Sequence, residues 1–265
     1  MTGGTADVRT DIVKLATGLN VEVRRSGSGP AVIWLHGPHG VRRNDEAIAA
    51  LSRHHEVIAP IAPGFNDVDE LDEIRDVHDL ALHYDDLLEA LGLDRVRLVG
   101  HSFGAMIAAE LAAHVPNRVE RLVLISPFGL WRDDHPVEDL FARPYATIDT
   151  ILWKDGKPSG ALADPAGLPN DPVEQAVSLV QAMTTVAKFI WPIPDKGLGR
   201  RLHRVSARTL IVSGAEDQFV PPIYADEFCN AIKGSRSVIV PDAAHMVAYE
   251  KSDAVAELIE RHLTD

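Results

Sequence analysis

The chain has 265 residues, 46% hydrophobic and 25% charged, with a formal net charge of −13 and one cysteine, Cys229. A single cysteine excludes an intrachain disulfide framework and a multi-cysteine metal site. The acidic balance disfavours nucleic acid or an anionic membrane surface as a general partner. No stretch is apolar for long enough to span a bilayer, and stable membrane association is not expected. The first residues, MTGGTADVRTDIVKLATG, lack a basic start followed by an apolar run, so a cytoplasmic location is expected.

Taken in chain order, Ile12–Gly18 and Val21–Gly27 read as two short strands closed by glycine, a hairpin. GSGP, Gly27–Pro30, is a turn, and AVIWLHG, Ala31–Gly37, is a buried strand. Ala47–His54 reads as a short helix and Glu56–Pro60 as another strand, with His54 and His55 expected on the surface between them. Asp76–Leu93 carries leucines at helical spacing behind an aspartate cap. Val96–Ser102 is an apolar strand running into the alanine-rich helix Phe103–Val115. Further strands follow at Arg121–Pro127, Thr209–Gly214 and Ser237–Asp242, and the last helix is Asp253–Leu263. Apolar strands alternating with helices predict an α/β fold, a mostly parallel sheet covered on both faces.

The rhythm breaks between about Leu130 and Arg204, where prolines cluster and three of the four tryptophans lie: Trp131, Trp153 and Trp191. This region reads as a mainly helical cap, residues 131–204, inserted into a core of residues 1–130 and 205–265. A separate domain is the alternative, but Thr209–Gly214 resumes the core pattern. Lys196–Arg204, KGLGRRLHR, reads as a solvated basic helix face.

The chemistry concentrates in Gly100-His101-Ser102-Phe103-Gly104, a G-x-S-x-G run with a strand before it and a helix after it. A serine hydroxyl is a weak nucleophile and must be presented to both a base and an electrophile. A tight strand-to-helix turn does this, and the helix start adds free N–H groups. A base and an orienting acid then belong after later strands, because catalytic groups in open α/β sheets gather at the strands' carboxyl ends. Glu216 and Asp217 follow one such strand, and His245 follows the next.

With these residues in view, the chain resembles a capped α/β-hydrolase, the type that includes esterases, lactonases and carbon–carbon bond hydrolases. The residues that carry the likeness are HGPHG, PGF at Pro63–Phe65, GHSFG, SGAEDQFVPP and PDAAHM, spread over nearly the whole chain. The resemblance implies an eight-stranded type of sheet, with the cap entering after the sixth strand. It assigns the acid to Asp217, in the run Gly214 to Pro221, rather than to Glu216. It makes Ser102 the nucleophile, His245 the base and Asp217 its orienting partner. Ser102 argues against the related epoxide hydrolases and haloalkane dehalogenases, whose nucleophile is aspartate.

The same resemblance raises a difficulty. One oxyanion donor is expected from the N–H of Phe103, and a second from the residue after His36-Gly37. That residue is Pro38, which has no N–H. The expectation is that the donor moves one place, to the N–H of His39, with Gly40 permitting the turn.

No H-E-x-x-H run, P-loop or G-x-G-x-x-G is present, so no metal and no cofactor are expected. His78 and His83 are not spaced as a metal pair. Pocket candidates are His36, Pro38, Trp131, Phe141, Trp153, Phe189, Trp191 and Met246, with Met183 a further apolar side chain in the cap. As a set they favour an apolar pocket. The reading is a serine hydrolase of small to medium apolar esters. The alternatives are a carbon–carbon bond hydrolase of vinylogous keto acids, or a lyase, perhydrolase or ligand receptor. An anionic keto acid calls for an arginine, for which Arg132, Arg143, Arg200 and Arg204 are the candidates. Expected partners are a small apolar ester and no nucleic acid, with a homodimer left open.

Overall fold

A computed structural model of the chain describes residues 8–42, 44–163 and 171–265. Residues 1–7 of the expected core and 164–170 of the expected cap lie outside the described residues. The strands are β1 (Arg9–Lys14), β2 (Asn20–Ser26), β3 (Ala31–Leu35), β4 (Glu56–Pro60), β5 (Val96–His101), β6 (Val119–Ile125), β7 (Arg208–Gly214) and β8 (Arg236–Val240). They form one eight-stranded sheet in the order β1-β2-β4-β3-β5-β6-β7-β8. The first hairpin pairs antiparallel, β2 pairs antiparallel with β4, and every remaining pair is parallel.

The central strands are apolar on both faces because both faces are covered. Val32 to Leu35, Leu98, Val99, Leu122 to Ile125 and Leu210 to Val212 are all buried. Helices α1 (Glu46–Leu51), α2 (Val77–Ala90) and α3 (Phe103–His114) follow the first strands. Asp76 starts α2 by accepting the N–H groups of His78 at 2.8 Å and Asp79 at 3.1 Å. Free donors of a first turn are satisfied in this way. The small alanines of α3 bring its backbone close to β5 and β6, and its side chains from Phe103 to Ala113 are buried. At the other end of the chain come α7 (Ile223–Ala231), α8 (Val247–Glu250) and α9 (Ser252–Thr264). In α9, Val255, Ala256, Ile259 and Leu263 recur at helical spacing and are buried, as an amphipathic surface helix requires.

Between β6 and β7 lie α4 (Asp149–Leu152), α5 (Gly160–Ala163) and α6 (Pro172–Ile190). Asp171 caps α6 by accepting the Val173 N–H at 2.7 Å, with Pro172 in the first turn, where no N–H is needed. The inner face of α6 buries Ala182, Val186, Phe189 and Ile190. Gln181 and Thr185 each donate to the Gly64 carbonyl at 3.0 Å, and Lys188 donates to Leu71 at 2.7 Å. These bonds tie the insert to the loop after β4.

Two surface expectations are corrected. The basic segment is only partly a solvated face: Arg200, His203 and Arg204 are exposed, but two of its arginines are anchored. Arg201 forks onto the buried Glu110 of α3 at 2.6 and 2.8 Å, and Arg204 donates to the Ala113 carbonyl at 2.7 Å. His55 is buried, because the turn at Gly27 crosses directly over it: a Cβ there would stand 2.3 Å from the His55 carbonyl. Among the described residues, no helix is long and apolar enough to cross a membrane.

Candidate active site

Ser102 sits between the last residue of β5 and the first of α3, with φ +56° and ψ −117°. This backbone region is costly for a residue with a side chain, about 1–3 kcal/mol. The turn is held from both sides. Ser102 N–H donates to the Ile125 carbonyl at 2.9 Å, and its own carbonyl accepts the N–H groups of Ala105 and Met106. Gly104 lets α3 begin against the end of β3, since a Cβ there would stand 2.1 Å from the Leu35 carbonyl.

His245 follows β8 and is buried. Its Nε2 lies 2.8 Å from Ser102 Oγ and its Nδ1 lies 2.8 Å from Asp217 Oδ2. The second oxygen of Asp217 accepts the N–H groups of Phe219 at 3.0 Å and Val220 at 2.8 Å. The acid is therefore fixed by its own loop before it reaches the imidazole. Gly214, at the end of β7, permits the two loops to touch, because a Cβ there would meet the Ala244 carbonyl at 2.2 Å. The Phe219 ring stands edge-on to His245 with centroids 4.7 Å apart.

Several supports carry no strong sequence signal. The His245 carbonyl accepts Ser126 Oγ–H at 2.9 Å and His101 Nε2–H at 3.2 Å. Burial first, and the neighbouring His245 second, hold the His101 pKa down to about 3, so the ring stays neutral. Glu250 accepts the Ala244 N–H and the Lys154 N–H, both at 2.7 Å, and Met246 N–H donates to Leu152 at 3.1 Å. The loop bearing His245 is thereby stitched to the insert. A serine ending an apolar strand, as Ser126 does, is the only hint that sequence offers.

The loop after β3 is a β-turn. Gly40 N–H donates to the Gly37 carbonyl at 3.1 Å, with Pro38 and His39 between them. Proline suits the second position of such a turn, whose φ it matches. His36 points into the core rather than the pocket. Its Nδ1–H donates to the Gly37 carbonyl at 2.7 Å, and its Nε2 accepts the Ala62 N–H at 2.9 Å. Burial pulls its pKa down to about 4, which keeps the accepting nitrogen free of a proton. Neither the His39 N–H nor the Phe103 N–H donates to a described backbone carbonyl.

A cavity opens over Ser102 and encloses about 490 Å³ of empty space, counting the part open to solvent at its mouth. Ser102 and His245 meet Pro38, His39 and Met246 from the core side, and Leu140, Ile148, Leu152, Leu179 and Met183 from the insert. Tyr145, Asp149 and Phe219 complete the lining. Of the expected pocket residues, Pro38 and Met246 are therefore placed at the cavity, as is Met183. The others are not. Trp153 is buried beside Tyr249, with ring centroids 6.4 Å apart, and Phe189 packs on Phe103 at 6.0 Å. Trp131, Phe141 and Trp191 line a second, neighbouring cavity, and Leu140 and Phe219 border both. Each of these aromatics turns toward the packing available on its own side of the insert, which residue type alone does not reveal. Tyr145, Asp149 and Leu179 had no sequence signal, since they lie in short pieces without periodicity or on the mixed face of α6.

The chain matches the alpha/beta hydrolase family over residues 32–258. It belongs to that family. A relative, the 2-hydroxy-6-oxo-6-phenylhexa-2,4-dienoate hydrolase of Burkholderia cepacia, is 27% identical over 263 residues, covering 90% of this chain and 89% of the relative. A bacterial membrane phospholipase A shares the fold with a TM-score of 0.79 at 20% identity, covering 99% of this chain and 87% of that one. The carboxylesterase CesB of Bacillus subtilis shares it with a TM-score of 0.70 at 19% identity, covering 97% and 92%. This hydrolase therefore has an eight-stranded, mostly parallel sheet; the Burkholderia relative is named for a dienoate, and the Bacillus structure for a carboxylic ester.

Proposed function

We propose that this hydrolase cleaves carboxylic esters of small to medium, largely apolar acids through an acyl-enzyme on Ser102. The observation that carries the reading is a continuous Ser102–His245–Asp217 hydrogen-bond chain opening into a cavity with mainly apolar walls and, among the described residues, no arginine or lysine in its lining.

The steps follow from the geometry. Ser102 Oγ attacks the ester carbonyl carbon as its proton passes to His245 Nε2, 2.8 Å away. The imidazolium that forms donates from Nδ1 to Asp217 Oδ2, which cannot turn away because its other oxygen is held by two backbone N–H groups. The carbonyl oxygen, now negative, takes the N–H of Phe103 and, in our reading, that of His39. Pro38 forces this displacement of the second donor, and each such donor contributes about 3–4 kcal/mol to the transition state. The tetrahedral centre collapses, the alcohol leaves with the proton from Nε2, and the acyl group stays on Oγ. Water then repeats the attack, giving its proton to the same nitrogen. The neutral His39 imidazole, its pKa lowered to about 4 chiefly by burial, forms part of the wall without adding charge.

Carbon–carbon bond hydrolysis is the second reading. It is favoured by the Burkholderia relative and by Arg42, whose charge reaches His39 and Tyr145. Against it, among the described residues the only formally charged side chain in the lining outside the histidines is the carboxylate of Asp149, which repels an anionic substrate. The arginines expected to supply the site are engaged elsewhere or absent from the lining. Arg132 pairs with Asp134 and Glu227, Arg143 pairs with Glu138, and Arg204 bonds Ala113.

A panel of p-nitrophenyl esters of increasing acyl length, assayed beside a 2-hydroxy-6-oxo-dienoate, separates the readings. We expect esters to be turned over with the higher kcat/KM, and Ser102→Ala to reduce that turnover by about 10⁴- to 10⁶-fold. Preferred cleavage of the dienoate would establish the second reading. Ester turnover that survives Ser102→Ala would overturn the mechanism.

A further inference from the structure

Asp149 differs from three other carboxylates of the insert, Glu138, Asp139 and Asp195. Glu138 pairs with Arg143, Asp139 accepts the N–H groups of Phe141 and Ala142, and Asp195 accepts that of Gly197. Asp149 is half-buried in the wall of the Ser102 cavity, and its carboxylate has no hydrogen bond or ion pair with any described residue. It does not cap its own helix, since α4 has no side-chain cap bond. Its pKa is raised by burial, and no described cation acts on it. Even partial burial of a carboxylate without a partner is unfavourable. Around it lie Ile148, Leu152 and Leu179, which offer no polar atom, and the phenol of Tyr145.

We infer that Asp149 is a specificity residue that receives a protonated amine carried by the ester substrate. This rests on the ester-hydrolase reading above and narrows its substrate class to esters with an ammonium-bearing chain. The ammonium supplies the cation that no described residue offers, and its methylene stem lies against the apolar wall. The Tyr145 ring adds a face suited to a cation. The net charge of −13 raises the local concentration of cationic over anionic esters.

The test compares p-nitrophenyl 6-aminohexanoate with its neutral isostere p-nitrophenyl heptanoate, in the native protein and in Asp149→Asn. The ratio of kcat/KM, amino over neutral, should fall by roughly ten- to a hundred-fold in the variant, the range for a hydrogen bond to a charged group. In parallel, calorimetry measures pentylammonium and 1-pentanol binding to both proteins. The affinity ratio should favour the ammonium in the native protein and collapse in Asp149→Asn. Ratios that do not move on substitution, or a native preference for the alcohol, overturn the inference. Ammonium binding that depends on Asp149 while neither ester is turned over retains the inference and defeats the esterase reading instead.

Discussion

The two sides of the cavity are built on different physics. On the sheet side, Ser102, Asp217 and His245 are buried, and each is held by directional bonds from more than one strand end. On the insert side, Leu140, Ile148, Leu152, Leu179 and Met183 present apolar side chains. Hydrogen bonds fix angle and distance, whereas apolar contact fixes only volume. Chemistry that tolerates little misplacement lies on the first side, and substrate shape is set by the second.

The contrast can be broken most severely from the sheet side. Asp217→Asn keeps the shape but removes the acceptor that orients His245, and kcat for a good ester should fall by about 10⁴-fold. Stopped-flow turnover of a p-nitrophenyl ester measures this, and a loss confined to KM would contradict it. The joint between the sides comes next. Arg201→Ala strips the buried Glu110 of its guanidinium, leaving only the His114 ring 3.7 Å away, and urea unfolding should report a loss of about 3–5 kcal/mol.

Acid should then strike the sheet side. The folded pKa values of His36 and His101, about 4 and about 3, lie below the unfolded value of 6.5. The stability they contribute is therefore complete above pH 6.5 and is lost as the pH falls through those values. Urea midpoints at pH 7 and pH 4.5 should differ, and His36→Asn should reduce the difference by an amount on the order of 1–3 kcal/mol. The smallest effect belongs to the insert. Met183→Ala enlarges the wall and should shift acyl-length preference by about 1 kcal/mol, several-fold, through KM with little change in kcat. A large fall in kcat there would mean that the two sides are not separable.

The same division decides what sequence can reveal. Ser102, Asp217 and His245 each follow a short apolar run, and apolar runs are strands, so topology places all three at one edge. The glycines of the elbow are legible for the same reason: the close backbone approach admits nothing else. The wall obeys no such rule. Trp153 and Phe189 are apolar and in the right region, yet they face the core: Trp153 ends a helix too short to show a period, and the period of α6 gives Phe189 a buried side without saying what that side meets. Asp149 is indistinguishable in sequence from the capping aspartates Asp76 and Asp171. His36 and His101 resemble candidate acid–base groups, and only their burial and bonding partners reveal them as neutral struts.

Leu140 and Phe219 border both the chamber over Ser102 and the aromatic-lined chamber beside it. Phe219 is committed, since its backbone holds Asp217 and its ring braces His245. Leu140 has no such bond, and its side chain lines both chambers. Replacing it with a smaller residue would join two short chambers into one long one without altering the nucleophile, its base or its acid. A lineage built on this scaffold could thus move from short to long substrates by a single codon change, with its reaction chemistry inherited intact.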